Sequence, residues 1–475
     1  MKKQLFLTLI IAALLAAGGC KKWLDVSSKT DVVENDMFTD EQGFMDAMAG
    51  VYYIMADNDL YGDKLTMSLL DAVANRYNFE WYTNAEYGTD LNTAGYYARD
   101  NIRTMINNIW QKEYNAIANI NNLLNHIDGG RGLFNQDNYQ LMKGEALGLR
   151  AFLHFDLLRM FGPSWVTGAD KPAIPYVTAF SGKLVTPISS VKAVTDSILS
   201  DLHRSLALLE KDDLRSSSQD NPWVNNRKCH FNKLAAQALL ARVYLYRGEA
   251  ANALLYASNV INSGKLDFVK PAALQNRPFD FSFTPEQVFS LSKYDITLLF
   301  NKYFTQSYSS QLTNDCGKAY GNTQSVERIY EVSGGNSSDV RYNNMWLAYN
   351  SYYSFNRYNQ VNALEINLVP LIRLPEMYYI AAECSPLEDG IEYLNTVRNR
   401  RGLLPLPVPA DKAALQNEVF KEYQKEFYTE GQLFYYYKRL NMPEMMKYNN
   451  IDRVSSAAPG YVFPIPAEEI TLGNR

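Results

Sequence analysis

The chain has 475 residues, a formal net charge of −5 and an aromatic content of 13%. This acidic balance excludes the basic surface by which proteins hold the nucleic acid backbone. Its four cysteines are too sparse for a disulfide framework. Its four histidines lie far apart, without metal-ligand spacing, so we expect neither a metal site nor a cofactor.

The first residues have the layout of a secretory signal peptide, predicted at 1–19. A short basic start precedes an apolar run from Leu5 to Ala17, which small residues and then Cys20 follow. The run is shorter than the about 20 apolar residues of a membrane-spanning helix. We expect cleavage before Cys20, lipidation of its thiol and a single mature domain at 20–475. An ordinary cleaved signal is the alternative, since Ala17 stands where lipoprotein signals usually have Leu.

Apolar residues at three- and four-residue spacing predict helices over most of the chain. The predicted helices cover about 40–55, 100–127, 136–161, 190–209, 232–246 and 250–263. The Gly162-Pro163 pair marks the end of the helix over 136–161. We therefore predict a mainly all-α fold.

Two helical hairpins carry the small residues that allow helices to pack closely. The first covers 232–263 around Gly248, and the second covers 374–400 with a turn predicted at 386–390. Each resembles a tetratricopeptide unit, in which two antiparallel helices cross at alanines. The two helices at 100–161 are interpreted as a third, divergent unit, so the predicted array is degenerate.

The segment at about 281–358 lacks this helical pattern. It is rich in Ser, Asn, Gly and aromatic residues, with one strand-like run from Glu286 to Leu291. We interpret it as a loop-rich insert on the helical scaffold, and 77–100 as a long loop. Binding residues concentrate on loops that a rigid scaffold positions.

Short motifs along the chain carry a family resemblance. They are Cys20-Lys-Lys-Trp-Leu-Asp-Val26, Gly50-Val-Tyr52, Leu149-Arg-Ala-Phe152, Asp156-Leu-Leu-Arg-Met-Phe-Gly162, Asp339-Val-Arg341, Pro370-Leu-Ile-Arg373, Glu430-Gly431 and Pro464-Ile-Pro466. Together, in this order, they resemble the SusD/RagB family of nutrient-binding lipoproteins. The stretch at 424–426 departs from the family pattern, which has an Arg-Glu pair there.

The resemblance implies a tetratricopeptide-containing fold tethered to the outer membrane through Cys20. It also implies a SusC-like TonB-dependent channel as partner and a glycan as ligand, although some members take peptides. We expect the protein to face the cell surface. Lys21 and Lys22 stand where surface members often have acidic residues, which leaves a periplasmic orientation open.

Two loop-rich segments combine flat aromatic rings with polar groups, the mixture that sugar recognition needs. The ligand-binding candidates are Asn75, Tyr77, Trp81, Tyr82, Tyr87, Trp346, Tyr349, Tyr353 and Arg357. The alternative interpretation is that these rings pack the loops onto the scaffold.

Catalysis is not predicted. Glu426 and Glu430 lie one helical turn apart, and carboxylate pairs can hydrolyse glycosides, but pairing with arginine explains the spacing as well. No serine-elbow, phosphate-loop or paired-histidine motif occurs. Two further pairs are interpreted as structural: Glu145 with Arg150, and Asp156 with Arg159. We predict a non-enzymatic glycan binder, with a peptide binder or a protein-only repeat scaffold as alternatives.

Overall fold

A computed structural model describes residues 37–77, 97, 99–181, 185–304, 325–349, 352–361, 363, 367–448, 450–455 and 461–473, and the strand at 314–315. The predicted signal peptide and Cys20 lie outside these residues. Across the described helices, none combines the length and apolar character that crossing a bilayer requires.

Helices account for most of the described chain, which confirms the predicted fold class. The α-helices are α1 (Glu41–Met55), α2 (Leu69–Val73), α3 (Asp100–Ile127), α4 (Asn138–Phe161), α5 (Trp165–Gly168), α6 (Val191–Leu208), α7 (Lys233–Tyr246), α8 (Ala250–Ile261), α9 (Pro271–Gln275), α10 (Ile296–Phe304), α11 (Ser325–Ile329), α12 (Val340–Met345), α13 (Leu374–Cys384), α14 (Leu387–Arg400), α15 (Lys412–Glu426), α16 (Gln432–Arg439) and α17 (Ala467–Leu472).

Short antiparallel strands connect and brace the helices. The strands are β1 (Pro172–Ile174), β2 (Ser189–Ser190), β3 (Gln287–Ser292), β4 (Asn314–Asp315), β5 (Trp346–Tyr349), β6 (Tyr352–Phe355), β7 (Leu368–Arg373), β8 (Glu444–Met446) and β9 (Arg453–Ser455). Strand β1 pairs with β2, β3 with β7, β6 with both β4 and β5, and β8 with β9. The predicted strand in the insert is confirmed as β3.

The long helices pack one after another in an array. Helix α1 packs on α3, α3 on α4, α4 on α6, α6 on α7, α7 on α8, α8 on α13 and α13 on α14. This succession is the arrangement of a helical-hairpin repeat, in which each unit buries its apolar face against its neighbours. The predicted repeat architecture is therefore confirmed.

Helix α4 lies at the centre of this array and is buried on nearly all sides. Two glycines let its neighbours approach closely. A Cβ on Gly144 would lie 2.7 Å from the Leu209 side chain, and one on Gly148 would lie 2.1 Å from the Phe231 ring. Because any larger side chain would meet these atoms, the glycines set the packing distance of the central helix.

The turn of the second hairpin differs from the prediction. It lies at Ser385-Pro386, between α13 and α14, and Gly390 is inside α14. A Cβ on Gly390 would lie 2.6 Å from the carbonyl oxygen of Ala382. The turn predicted at 386–390 is therefore right at Pro386 and wrong from residue 387 to Gly390, because this glycine allows close helix packing and does not form a turn.

Glu426 and Glu430 are buried acceptors for arginine, which confirms the predicted arginine pairing. They do not share a helix as the spacing predicted, because α15 ends at Glu426 and Glu430 lies in the turn before α16. Glu426 forms ion pairs with Arg341 at 2.8 Å, Arg373 at 2.6 Å and Arg401 at 2.9 Å. Burial alone would raise the pKa of Glu426, but these guanidinium groups hold it well below its usual value. Both oxygens of its carboxylate are occupied by arginine donors.

Candidate functional site

A pocket of about 680 Å³ opens between α1, the loop at 222–230 and the chain that follows β3. This volume is within the range of small-molecule sites, about 300–1,000 Å³. We call it the tyrosine pocket. Its lining residues are Gln42, Met45, Asp46, Ala49, Tyr52, Tyr53, Ala56, Asp57, Asn58, Pro222, Trp223, Cys229, His230, Leu291, Ser292, Lys293, Tyr294 and Asp295.

Two tyrosines of the pocket are strongly exposed. Tyr53 on α1 is 69% exposed, and Tyr294, two residues beyond β3, is 76% exposed. Helix α1 turns its apolar stripe of Phe44, Met48 and Val51 into the core. Tyr53 follows Val51 by two residues, about 200° around the helix, so it points away from that stripe. The two rings therefore offer aromatic surface to solvent.

The inner wall of the pocket is fixed by one buried carboxylate, Glu145 on α4. Its oxygens accept hydrogen bonds from the Tyr52 hydroxyl at 2.9 Å and the Trp223 indole N–H at 3.1 Å. It also forms an ion pair with Arg227 and contacts the His230 ring nitrogen at 3.2 Å. Burial would raise the pKa of Glu145, but Arg227 and His230 lower it overall. A single charged group thus orients three pocket side chains.

The Tyr52 hydroxyl is part of the same network. It donates to Glu145 and accepts the backbone N–H of Phe231 at 2.8 Å. Burial, and then the Glu145 charge, raise the pKa of Tyr52 well above its usual value. Tyr52 therefore stays neutral, and its hydroxyl joins α1 to α4 through Glu145 and to the chain directly after the 222–230 loop through Phe231.

The rim of the pocket carries charges that are mostly paired. Lys112 on α3 lies 2.5 Å from Asp57 and 2.9 Å from Asp59. Lys293 is buried, forms a 2.8 Å ion pair with Asp295 and donates to the Ala56 carbonyl at 3.2 Å. These pairs fix the loop after α1 and the chain after β3 in position.

The prediction that Glu145 pairs with Arg150 is wrong. Arg150 instead forms a two-point ion pair with Asp201 of α6, at 2.7 and 2.9 Å. The predicted pair of Asp156 and Arg159 is confirmed. Side chains five residues apart point in different directions around a helix, whereas those three apart are neighbours.

Five of the predicted ligand-binding residues have described side chains, and all five are buried. They are Asn75, Tyr77, Trp346, Tyr353 and Arg357. They do not line the tyrosine pocket. Trp81, Tyr82, Tyr87 and the side chain of Tyr349 lie outside the described residues. Ligand contact by these nine residues stays a prediction.

The structure does bring the two predicted segments together. Tyr77 and Trp346 both pack edge-on against Tyr428, with ring centroids 5.6 and 4.6 Å away. The Trp346 indole N–H donates to the Tyr330 hydroxyl at 3.2 Å. Arg357 lies over the Phe283 ring at 4.8 Å. The buried members therefore pack the segments onto the scaffold, as the alternative interpretation expected of them.

Two family models match most of the chain. One, described as "Starch-binding associating with outer membrane", matches residues 22–245, and one described as "SusD family" matches residues 291–473. The chain belongs to the SusD family. It is also similar to SusD-like protein P2 of Formosa agariphila, with 24% identity over 526 residues that cover 98% of this chain and 97% of that protein.

Solved structures share the fold of this SusD-family protein. A SusD-like carbohydrate binding protein from Bacteroides vulgatus aligns with a TM-score of 0.70 and 17% identity, over 92% of this chain and 96% of its own. A SusD superfamily protein from Bacteroides thetaiotaomicron aligns with a TM-score of 0.67 and 21% identity, over 92% and 98%. These structures confirm the SusD-like helical fold.

Sequence reasoning missed the exposed tyrosines of this SusD-family chain. Tyr53 lies off the apolar stripe of a predicted helix, so the periodicity alone indicates an exposed ring. Tyr294 follows the predicted strand at 286–291 in the insert and has no comparable pattern. Its exposure depends on how β3 packs against β7, which is a tertiary contact.

Metal and thiol chemistry receive no support in the described part of the chain. No group of three or more His, Cys, Asp or Glu side chains there is placed to hold a metal ion. Burial raises the pKa of the Cys384 thiol to about 12, so this cysteine is a protonated, half-buried side chain. Cys316 lies outside the described residues.

Proposed function

We propose that this SusD-family protein is a non-catalytic glycan binder that holds an oligosaccharide in the tyrosine pocket. The observation that carries the proposal is the pair of exposed rings, Tyr53 and Tyr294, over a wall fixed by buried hydrogen bonds. Aromatic faces pack against the C–H surfaces of sugar rings. Asp46, Asn58 and Ser292 at the pocket add carboxylate, amide and hydroxyl groups for sugar hydroxyls.

Rigidity of the wall supports binding. Glu145 orients the side chains of Tyr52, Trp223 and His230 before a ligand arrives. Each immobilised side chain otherwise costs about 0.5–1.5 kcal/mol on binding. A wall that is already ordered avoids this loss, so weak contacts can add up over several sugar units.

The predicted segments around 75–87 and 346–357 remain part of the proposal as a second contact region for a longer ligand. Their convergence at Tyr428 supports a shared location. Within it, Trp81, Tyr82 and Tyr87 are the rings that we propose touch ligand.

Delivery to a transporter is the second part of the proposed function. We propose that lipid on Cys20 tethers the protein to the outer membrane, facing the cell surface. A SusC-like TonB-dependent channel is the proposed partner. Tethering raises the effective concentration of the binder near the channel, so that the two proteins associate even when their affinity is low. The family description, which names association with the outer membrane, supports this placement.

The binding test is calorimetry of the purified mature protein against a panel of oligosaccharides and, in parallel, a peptide library. We expect a glycan to bind, and Tyr53→Ala and Tyr294→Ala each to weaken it about three- to ten-fold, the value of one lost ring contact. Phe180→Ala is the matched control, since this exposed aromatic lies outside the pocket. Its affinity should equal that of the wild type.

Three outcomes would contradict the proposal, two of them its ligand class and one its location. Binding of peptides alone would favour the peptide-uptake alternative. No ligand of either kind, with a channel protein still recovered on affinity purification, would favour a protein-only scaffold. A glycan that binds normally to both tyrosine variants but not to Trp81→Ala would move the site to the second region.

A further inference from the structure

We infer that the tyrosine pocket selects uncharged oligosaccharides over those that carry carboxylate or sulfate groups, and that Asp46 is the residue that decides this. The inference rests on the proposed function, since it names the chemical class of ligand for the same pocket.

Carboxylates outnumber cations among the lining residues. Asp46, Asp57 and Asp295 line the pocket, and Lys293 is the one lysine or arginine in the lining set. An anionic sugar would therefore meet more negative than positive charge. The partners of each group determine how much of that charge a ligand meets.

The positive charge of Lys293 is not available to a ligand. Its side chain is buried, and its ammonium is shared between Asp295 at 2.8 Å and the Ala56 carbonyl at 3.2 Å. A sulfate or uronate group would have to displace both partners. The ion pair also neutralises Asp295, so this part of the rim is close to neutral.

Asp57 is neutralised in a similar way from outside the pocket. Lys112 lies 2.5 Å from Asp57, and its hydrogen bond and charge lower the pKa of Asp57 in spite of partial burial. Lys112 also holds Asp59 at 2.9 Å. One ammonium thus serves two carboxylates, which leaves this side of the pocket with a negative excess.

Asp46 is different, because no lysine or arginine of the described residues forms an ion pair with it. It is exposed on α1, and one of its oxygens accepts the Gln42 amide at 2.8 Å. It lies seven residues, two helical turns, before Tyr53, so both side chains are on the same face of α1. Asp46 therefore places an unneutralised negative charge on the face of α1 that also carries the exposed ring and lines the pocket.

The positive groups behind the wall do not change this balance. Arg227 is fully buried and is shared between Glu145 and Asp212. Together these three residues carry a net negative charge. A ligand in the pocket is thus exposed to carboxylate on the α1 side and to no free guanidinium among the lining residues.

The consequence is a penalty for anionic ligands and none for neutral ones. An unneutralised carboxylate that lines a partly solvated pocket weakens the binding of an anion about five- to ten-fold. Neutral sugars instead use the same carboxylate as a hydrogen-bond acceptor for their hydroxyls. Sugars with free amino groups would gain from it.

The experiment compares neutral oligosaccharides with anionic ones, and the galacto- and xylo- backbones occur in both sets, so that the charged group is the main difference within these two comparisons. The neutral probes are galacto-, xylo-, manno- and malto-oligosaccharides, and the anionic probes are oligogalacturonates, xylo-oligosaccharides with glucuronate branches, and sulfated galacto-oligosaccharides. Affinities are measured by calorimetry on the mature protein at low and at high salt. We expect the tightest ligand to be uncharged, and its anionic counterpart to bind about five- to ten-fold more weakly at low salt.

Asp46→Asn keeps the shape of the side chain and removes its charge. We expect this variant to recover most of the lost affinity for the anionic counterpart, whereas Asp389→Asn, an exposed carboxylate on α14 outside the pocket, should recover none. If the ligand that binds most tightly is anionic and Tyr53→Ala weakens its binding, the inference is wrong but the proposed function stands. If no glycan binds at all, both fall together.

Discussion

Replacing Glu426 with glutamine tests how the fold depends on its buried charges. The carboxylate of Glu426 is fully buried and receives donors from three arginines: one on α12, one on β7 and one directly after α14. Glutamine has the same shape but no charge, and its amide N–H groups face arginine N–H groups. At least one guanidinium would then lose an acceptor, and the buried cluster would gain net positive charge.

The neighbouring pairs limit the expected loss. Arg341 keeps Asp339 at 2.7 Å, Arg401 keeps Glu286 at 2.7 Å, and Arg373 keeps Glu430 at 2.7 Å. Breaking one partner of a buried pair costs about 3–5 kcal/mol, and we expect a value near the lower end because no arginine is left alone. Unfolding entropy of about 2.1 cal/mol/K per residue gives roughly 1 kcal/mol per kelvin for this chain, so Tm should fall about 3 °C.

Thermal unfolding followed by circular dichroism at pH 7 measures this shift. Asp137→Asn is the control. The Asp137 side chain is 50% exposed and that of its partner Lys211 is 76% exposed, so this ion pair contributes at most about 1 kcal/mol. A Glu426→Gln variant that unfolds at the same temperature as Asp137→Asn would refute the reasoning that this carboxylate balances the three arginines.

The same cluster contributes to the acid sensitivity of the protein. Burial would raise the pKa of Glu422, but Lys425, Arg341 and Arg398 lower it to about 2, and the pKa of Glu426 is also lowered. A carboxylate with a lowered folded pKa contributes stability above its unfolded pKa of about 4.3. That contribution to the free energy of unfolding is lost as the pH falls from about 4 towards 2. The loss should be smaller in Glu426→Gln, because this variant lacks one of the two carboxylates.

Two further predictions concern packing and pH. Gly50→Ala in α1 should stabilise the protein by about 0.5–1 kcal/mol, since a Cβ there meets no atom within 4 Å. Gly148→Ala should destabilise it by about 1–3 kcal/mol, since its Cβ would lie 2.1 Å from the Phe231 ring; urea unfolding compares the two. Burial lowers the pKa of His154 to about 3, and its Nε2 accepts the Val177 N–H at 2.9 Å. The neutral His154 therefore contributes its full stability above the unfolded pKa of about 6.5. The free energy of unfolding should fall by about 2 kcal/mol by pH 5. His154→Gln should reduce this loss, which pH-dependent thermal melting measures.

Local signals in the sequence predicted the helices well. The predicted helices at 100–127, 136–161 and 190–209 agree with α3, α4 and α6 to within two residues at each end. Helix α3 has an apolar stripe, and α4 ends at Gly162, before a proline. Both are properties of neighbouring residues, which a single sequence contains.

Contacts between distant residues were not predictable in this way. Asp156 and Arg159 are three residues apart and were paired correctly, whereas Glu145 was assigned to Arg150 although its partner Arg227 is 82 residues away. The predicted turn at 386–390 was extended too far for a similar reason, since Gly390 faces Ala382 on the adjacent helix. The role of a glycine or a charged residue depends on which element packs against it. The periodicity of the sequence carries no information about that element.

The tyrosine pocket illustrates why such distant contacts matter for binding. An apolar wall would bury its side chains at no electrostatic cost, whereas a buried carboxylate such as Glu145 gains little net stability from its partners. Its hydrogen bonds, however, have definite directions, and they join α1, α4 and the 222–230 loop at one point. Tyr53 is the next residue after Tyr52 on the helix that this network fixes. The exposed ring therefore stands on a backbone that cannot shift without breaking charged hydrogen bonds, and a ligand that packs on it has less disorder to remove.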